Sequence, residues 1–315
     1  MLKKIFLIQD YGETHYKITI LGIVIKFPKP KYAKLKKENI FYYYKKHNID
    51  IRTIPPATGK LRELQLANVV LLKELDYVCK QANLKYWLDG GTLLGAVRHK
   101  GYIPWDDDID TGMLREDYNK IVEAFEKYSR DPDIYAGFVR DKSNNLIIKI
   151  QHKKCPCLFV DIFPFDFYGK SLTIDEQLRI SKKIKNIRNN LSLILAAQTS
   201  IINLQKIFSE KIQNEILSNN SNNNCISDLV WGIDFNQPYE NWFTEYDVIF
   251  PLKPILFEGE YFPSMNKPDC FLKRLYKDYL SYPKRITMGH SIYKEFTEAE
   301  KDLIKSLIKN NNIQE

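Results

Sequence analysis

Hydrophobic positions along the 315-residue chain change period several times, and each change marks an element. Residues 2–8 and 15–27 alternate apolar and polar around Gly12, the two-residue period of strands. They predict a β-hairpin ended by Pro28 and Pro30. A Lys-rich stretch with Tyr42, Tyr43 and Tyr44 then runs to Pro55 and Pro56 and reads as a linker. Over residues 61–83 the period becomes helical, with Leu64, Leu71, Leu72, Leu75 and Val78 on one face. Residues 115–128 predict a second amphipathic helix, and residues 134–140 and 146–152 predict strands. The continuous apolar run at 158–163 has the pattern of a buried strand. Residues 174–217 read as largely helical, the Asn-rich stretch 219–224 as an exposed loop, and 255–262 as a hairpin around Gly259. Helices are predicted over 269–280 and 297–309, and no internal repeat is found.

The densest chemistry lies in residues 87–113, WLDGGTLLGAVRHKGYIPWDDDIDTGM. Four carboxylates, Asp106, Asp107, Asp108 and Asp110, fall within five positions. Such a concentration of negative charge is unfavourable unless a cation neutralises it. On a strand, residues two apart share a face, so Asp108 and Asp110 are expected to present their oxygens together. Hard oxygen donors suit Mg²⁺ or Mn²⁺, which leave their remaining positions to water and phosphate. The flanking Ile103, Pro104, Trp105 and Ile109 argue against a freely solvated acidic loop. Asp161, alone inside an apolar run, would be costly to bury unless paired or metal-bound, and it supplies a third carboxylate. Asp166 follows Pro164, is expected in a loop, and is assigned a supporting place.

Gly90 and Gly91 separate a strand-like segment from a helix-like one. A strand–Gly-Gly–helix turn aims backbone amides and a helix N-terminus at phosphate. Arg98, His99 and Lys100 fall between the glycines and the acidic cluster. Arg98 fits a two-pronged phosphate contact or, equally, a structural role balancing the carboxylates. Arg115, Lys149 and Lys153 are weaker cationic candidates. Trp87 and Trp105 suit a base or a quaternary ammonium, but core packing is the preferred reading of both.

With these motifs in place, the chain resembles the LicD family of the nucleotidyltransferase superfamily, which is related to fukutin and fukutin-related protein. The resemblance is carried by GGTLLGAVRHKGYIPWDDDIDTGM, VDIFPFDF and FEGEYFPSMNKPDCFLKRLYKDYLSYP, in blocks scattered over residues 61–283. It implies an α+β fold: a nucleotidyltransferase-like mixed sheet flanked by helices, here with an N-terminal β-hairpin and a mostly helical C-terminal part. It implies transfer of a phospho-alcohol, phosphocholine or ribitol phosphate, from a CDP-linked donor to a glycan hydroxyl. By the same resemblance Asp108, Asp110 and Asp161 are the metal ligands and catalytic carboxylates. Gly90 and Gly91, with Thr92, Arg98 and Lys100, make up the donor- and phosphate-binding set. Asp161 is a candidate general base or a ligand of a second metal. One departure is visible: where the family often has Tyr-Gly, this chain has Tyr276-Lys277.

Charge and composition complete the picture. The net charge of +8 is concentrated at the start: residues 1–60 hold 13 Lys and Arg against 4 Asp and Glu, and the remainder holds 34 against 35. A basic segment of this kind suits an anionic membrane surface or a solvated face, and no motif points to nucleic acid. Five cysteines, odd in number and without a framework pattern, suggest a reducing compartment. Cys155 and Cys157 read as small buried residues, too closely spaced for an easy disulfide. The short apolar runs near the start predict neither an export signal nor a span, so a cytoplasmic protein is expected, with docking to the inner face of the membrane an extension of that reading. The expected organisation is 1–60, a basic hairpin and linker; 61–170, the catalytic core; and 171–315, a mainly helical region on the acceptor side. Two alternatives stay open: a nucleotidyltransferase that moves NMP with release of pyrophosphate, and a non-catalytic glycan- or nucleotide-binding protein.

Overall fold

The computed structural model describes residues 6–11, 15–20, 23–28, 40–140, 146–168, 172–195, 207, 210–211, 228–232, 243–283, 295–311 and 313. The predicted loop at 219–224 and most of 196–217 lie outside these residues, as do Gly12 and Cys225. The chain divides into two compact units, one of residues 1–54 with 282–286 and one of residues 55–281 with 287–315.

In the first unit, β1 (Phe6–Tyr11), β2 (His15–Ile20) and β3 (Ile23–Pro28) form an antiparallel meander. The expected hairpin is thus three strands, because residues 15–20 and 23–28 pair with each other as two antiparallel strands rather than running as one. Helix α1 (Ile40–Lys46) and a short 3₁₀ turn (Ile51–Thr53) follow.

The second unit is built on a seven-stranded mixed sheet flanked by helices, the α+β class expected. Its elements begin with α2 (Gly59–Ala82), β4 (Tyr86–Leu88), α3 (Gly90–His99) and β5 (Ile109–Leu114). The helix predicted over 115–128 is two short ones, α4 (Arg115–Tyr118) and α5 (Ile121–Tyr128). Strands β6 (Ile134–Arg140), β7 (Leu146–His152) and β8 (Cys155–Phe167) come next. Helix α6 (Ile174–Leu195) then leads towards β9 (Leu229–Trp231), β10 (Phe243–Thr244) and α7 (Tyr246–Ile249). The predicted hairpin appears as β11 (Lys253–Phe257) and β12 (Glu260–Ser264), and the predicted helices as α8 (Pro268–Tyr276) and α9 (Glu298–Asn310).

Strand β8 is the axis of the sheet. It pairs in parallel with β5 along one edge, and antiparallel with β7 and then β9 along the other. Strand β4 closes the far side of β5, and β10 the far side of β9. The two sheet faces have opposite character. Ile109, Thr111, Met113, Val160, Ile162, Ile148 and Ile150 are all completely buried and form one face. Helix α2 packs on β7 and β8, and its buried stripe includes Leu64, Leu71, Leu72, Leu75 and Val78. Between them, Asp110, Lys149 and Asp161 point to the other face and keep partial exposure.

Turn chemistry at two helix ends follows the sequence. Asn83 caps α2 in the left-handed conformation, which Asn tolerates well. Lys277, where the family resemblance leads one to expect glycine, has φ 59° and ψ −112° after α8. A lysine there is strained, by about 1–3 kcal/mol on the usual scale for such positions.

Candidate active site

Strand register assembles the site. Asp110 on β5 lies directly opposite Asp161 on β8, and Asp161 lies directly opposite Lys149 on β7. Directly opposite residues share a face, so a carboxylate, a carboxylate and an ammonium stand in one row across three strands. Asp108 falls one residue before β5, in irregular backbone, rather than on the strand with Asp110. Its carboxylate nevertheless reaches the row: oxygens of Asp108, Asp110 and Asp161 all lie within 4.8 Å of one another. The three sequence-predicted carboxylates therefore converge. Asp106, Asp107 and Asp108 also have oxygens within 4.8 Å of one another, which brings more of the acidic loop to the same place.

The charge balance is visible in the proton affinities. Burial, and then the nearby charges of Asp108 and Asp161, hold the Asp110 carboxyl well above the usual carboxylate range, opposed by the Gly91 amide. Asp106 is raised by burial, by Asp108 and Asp110, and by a hydrogen bond with Asp108. Lys149 is the cation that meets the row, its ammonium 2.7 Å from Asp161 Oδ1 and 3.7 Å from the centre of the Phe159 ring.

The glycines are explained by close approach. Gly90 has φ +49° and leads into α3, whose N-cap Asp89 accepts from the Gly90 amide at 2.8 Å. A Cβ on Gly90 would sit 2.6 Å from Asp110 Oδ2, and one on Gly91 would sit 2.8 Å from Asp106 Oδ2. The Gly91 amide donates to Asp110 Oδ2 at 3.2 Å, so the N-terminus of α3 already faces the carboxylates. Thr92 ties the two elements together, its hydroxyl accepting from the Asp110 amide at 2.8 Å. Asp89 itself is almost fully buried, and burial pushes its carboxyl up to about 7.

The cationic candidates are placed differently. The Arg98 guanidinium is buried, donates to the Tyr279 carbonyl at 2.8 Å and to His99 Nε2 at 2.9 Å, and lies over the Trp105 ring. These contacts fasten α3 to the segment after α8. Burial and the Arg98 charge push His99 down to about 4. Lys100 is exposed at the C-terminal end of α3, about 15 Å along the helix from Gly90. Arg115 makes a two-pronged pair with Asp166, at 2.9–3.3 Å, and Lys153 reaches the Pro132 carbonyl. Asp166 is therefore on a strand, not in a loop, because β8 continues in parallel register past Pro164. Trp87 is fully buried against Phe165 and Phe250, and Trp105 is buried under Arg98.

Sequence reasoning passed over two supports. Gln65 donates to the Asp106 carbonyl at 2.7 Å, and Asn68 donates to the Asp107 carbonyl at 3.0 Å while accepting from the Phe159 amide at 3.0 Å. Both side chains are fully buried on α2. Asn68 sits at helical spacing between Leu64 and Leu71, a polar residue on an apolar stripe, and that is the signal that marks it. Tyr276, the last residue of α8, is a third: burial and then the charges of Asp110 and Asp89 raise its hydroxyl well above normal.

The profile of the LicD/FKTN/FKRP nucleotidyltransferase domain matches residues 83–192, the segment that carries the glycines and all three carboxylates. Over that segment the chain is similar to the LicD/FKTN/FKRP nucleotidyltransferase domain. Among curated relatives, the lipopolysaccharide cholinephosphotransferase LicD of Haemophilus influenzae is 38% identical over 118 residues, 34% of this chain and 44% of the relative. Human ribitol 5-phosphate transferase FKRP is 36% identical over 89 residues, 28% of this chain and 18% of the relative. The chain thus spans less than half the length of these curated relatives. Among the described residues, no helix is long and apolar enough to cross a membrane.

Proposed function

We propose that this LicD-type protein transfers a phospho-alcohol, phosphocholine or a similar group, from a CDP-linked donor to a hydroxyl of a cell-surface glycan, with Mg²⁺ or Mn²⁺ as cofactor. The observation that carries this reading is the convergence of Asp108, Asp110 and Asp161 within 4.8 Å beside a glycine-opened helix N-terminus. The donor set fits a hard divalent cation: three carboxylates, with Asp110 raised in proton affinity by burial and by its acidic neighbours. Asp108, Asp110 and Asp161 would hold the ion. When bound, it would neutralise the donor phosphates and stabilise the departing CMP.

The chain's own residues do the rest. Glycines 90 and 91 leave room for the Asp110 and Asp106 carboxylates at the start of α3. The N-terminus of that helix favours a negatively charged phosphate. Lys149 pairs with the Asp161 carboxylate at 2.7 Å, and in this reading Asp161 takes a proton from the acceptor hydroxyl or serves as a ligand. Positioning and electrostatics supply most of the catalysis in phosphoryl transfer. Two relatives named as transferases of cholinephosphate and of ribitol 5-phosphate support the phospho-alcohol, and the lipopolysaccharide in one name supports a glycan acceptor. A cytoplasmic site of action, with the basic segment 1–60 against the anionic inner face of the membrane, belongs to the same proposal.

The test is product analysis. CDP-choline, CDP-ribitol, CDP-glycerol and CDP-ethanolamine are each incubated with protein, Mg²⁺ or Mn²⁺, and a glycan acceptor. Release of CMP from one of them is expected. Pyrophosphate as the product would replace this reading with nucleotidyl transfer, and neither binding nor turnover of any donor would remove it.

A further inference from the structure

Away from the carboxylate row, the first residues of β8 carry a second group of metal-ligating side chains. Cys155 and Cys157 are two apart on an extended strand, so both thiols leave the same face. Their sulfurs are 2.8 Å apart and buried. A carboxylate oxygen of Glu300 and both sulfurs lie within 4.8 Å of one another. Glu300 comes from the first turn of α9, nearly 150 residues along the chain, and its orientation is set by a capping box. Its carboxylate accepts from the Thr297 amide at 2.9 Å and from the Thr297 hydroxyl at 3.1 Å, and the Glu300 amide donates back to that hydroxyl.

We propose that Cys155, Cys157 and Glu300 form a site for one thiophilic divalent cation of the zinc class, a staple between α9 and the strand that carries Asp161. Two thiolates and a carboxylate are a zinc-type donor set, and a fourth position is left for water or another group. Binding releases the two thiol protons to solvent. The ion would spread the sulfurs, since Zn–S bonds of about 2.3 Å in tetrahedral geometry place two sulfurs roughly 3.7 Å apart. A disulfide is the competing use of the pair, and the backbone disfavours it. Residues two apart on a strand have Cα atoms about 6.6–6.8 Å apart, at the upper limit for a disulfide, and Pro156 between them resists compression. A disulfide would also give Glu300 no part. Softness keeps this site separate from the all-oxygen row at Asp108, Asp110 and Asp161.

Cobalt tests the proposal on the full chain. Chelator-treated protein titrated with Co²⁺ should bind one equivalent with a near-ultraviolet thiolate-to-cobalt absorption, and Zn²⁺ should displace it. Cys155→Ser and Cys157→Ser should each abolish that absorption, Glu300→Gln should weaken binding about tenfold or more, and Cys270→Ser, at an exposed thiol, should leave it unchanged. A wild-type protein without the absorption, or an absorption that survives both β8 substitutions, would overturn the site. Should the serine variants not fold, thiol counting on the wild type decides. Zn²⁺ is expected to protect two thiols from alkylation. No protection, or loss of two thiols as a disulfide in the absence of reductant, would contradict the assignment.

Discussion

At the scale of single residues, the site is a problem in charge neutralisation. Asp161 is paired with Lys149, with side chains 13% and 15% exposed, and Asp110 stands beside it with its proton affinity raised. Removing the lysine leaves one more uncompensated carboxylate in a sparsely solvated place. Lys149→Met should therefore lower the stability of the metal-free protein by about 2 kcal/mol. It should also enlarge the stabilisation that Mn²⁺ provides, because the ion no longer competes with an ammonium. Thermal melts with and without Mn²⁺ read both effects, and an unaltered metal-free melt would mean that Lys149 is no counter-ion. The acidic residues were legible because their signals are local: D-x-D beside Gly-Gly, and an Asp alone in an apolar run. The role of Lys149 was not, because it depends on the register of β7 against β8, which no local pattern fixes. Arg98 illustrates the reverse case. Its place between glycines and aspartates suited a phosphate contact and a structural role equally, and only the fold shows its guanidinium donating to the Tyr279 carbonyl and to His99.

At the scale of elements, α2 positions the acidic loop. Asn68 spans from the Asp107 carbonyl to the Phe159 amide, linking the loop to β8 through one buried side chain. Asn68→Ala leaves both backbone groups unpaired and should cost about 2–4 kcal/mol, read as a lower urea midpoint. A midpoint within error of the wild type would show that the loop is held by other means. The turn after α8 makes a prediction of opposite sign. Lys277 occupies a positive-φ conformation that suits glycine, so Lys277→Gly should stabilise the protein by about 1 kcal/mol, a rise of a few degrees in melting temperature. A fall would mean that the lysine side chain contributes more than its backbone costs. Periodicity located α2, β6, β7, the β11–β12 hairpin, α8 and α9 to within a few residues. It was less informative at β5, which starts one residue after Asp108, and at β9 and β10, which are too short to carry a period.

At the scale of the whole molecule, the described residues form two compact units, and the carboxylate row, the α2 support and the LicD-type match all belong to the larger one. The basic excess belongs to residues 1–60. The charge contrast was legible in composition, whereas the boundary near residue 54 and the third N-terminal strand were set by chain folding that composition does not record. The central claim is that the larger unit binds a divalent cation through Asp108, Asp110 and Asp161. Calorimetric titration of Mn²⁺ into the full chain, its Asp110→Asn variant and its Asp161→Asn variant tests it most directly. The account predicts saturable binding to the wild type that weakens at least about tenfold in each variant while both remain folded. Equal Mn²⁺ affinity in all three proteins would contradict it.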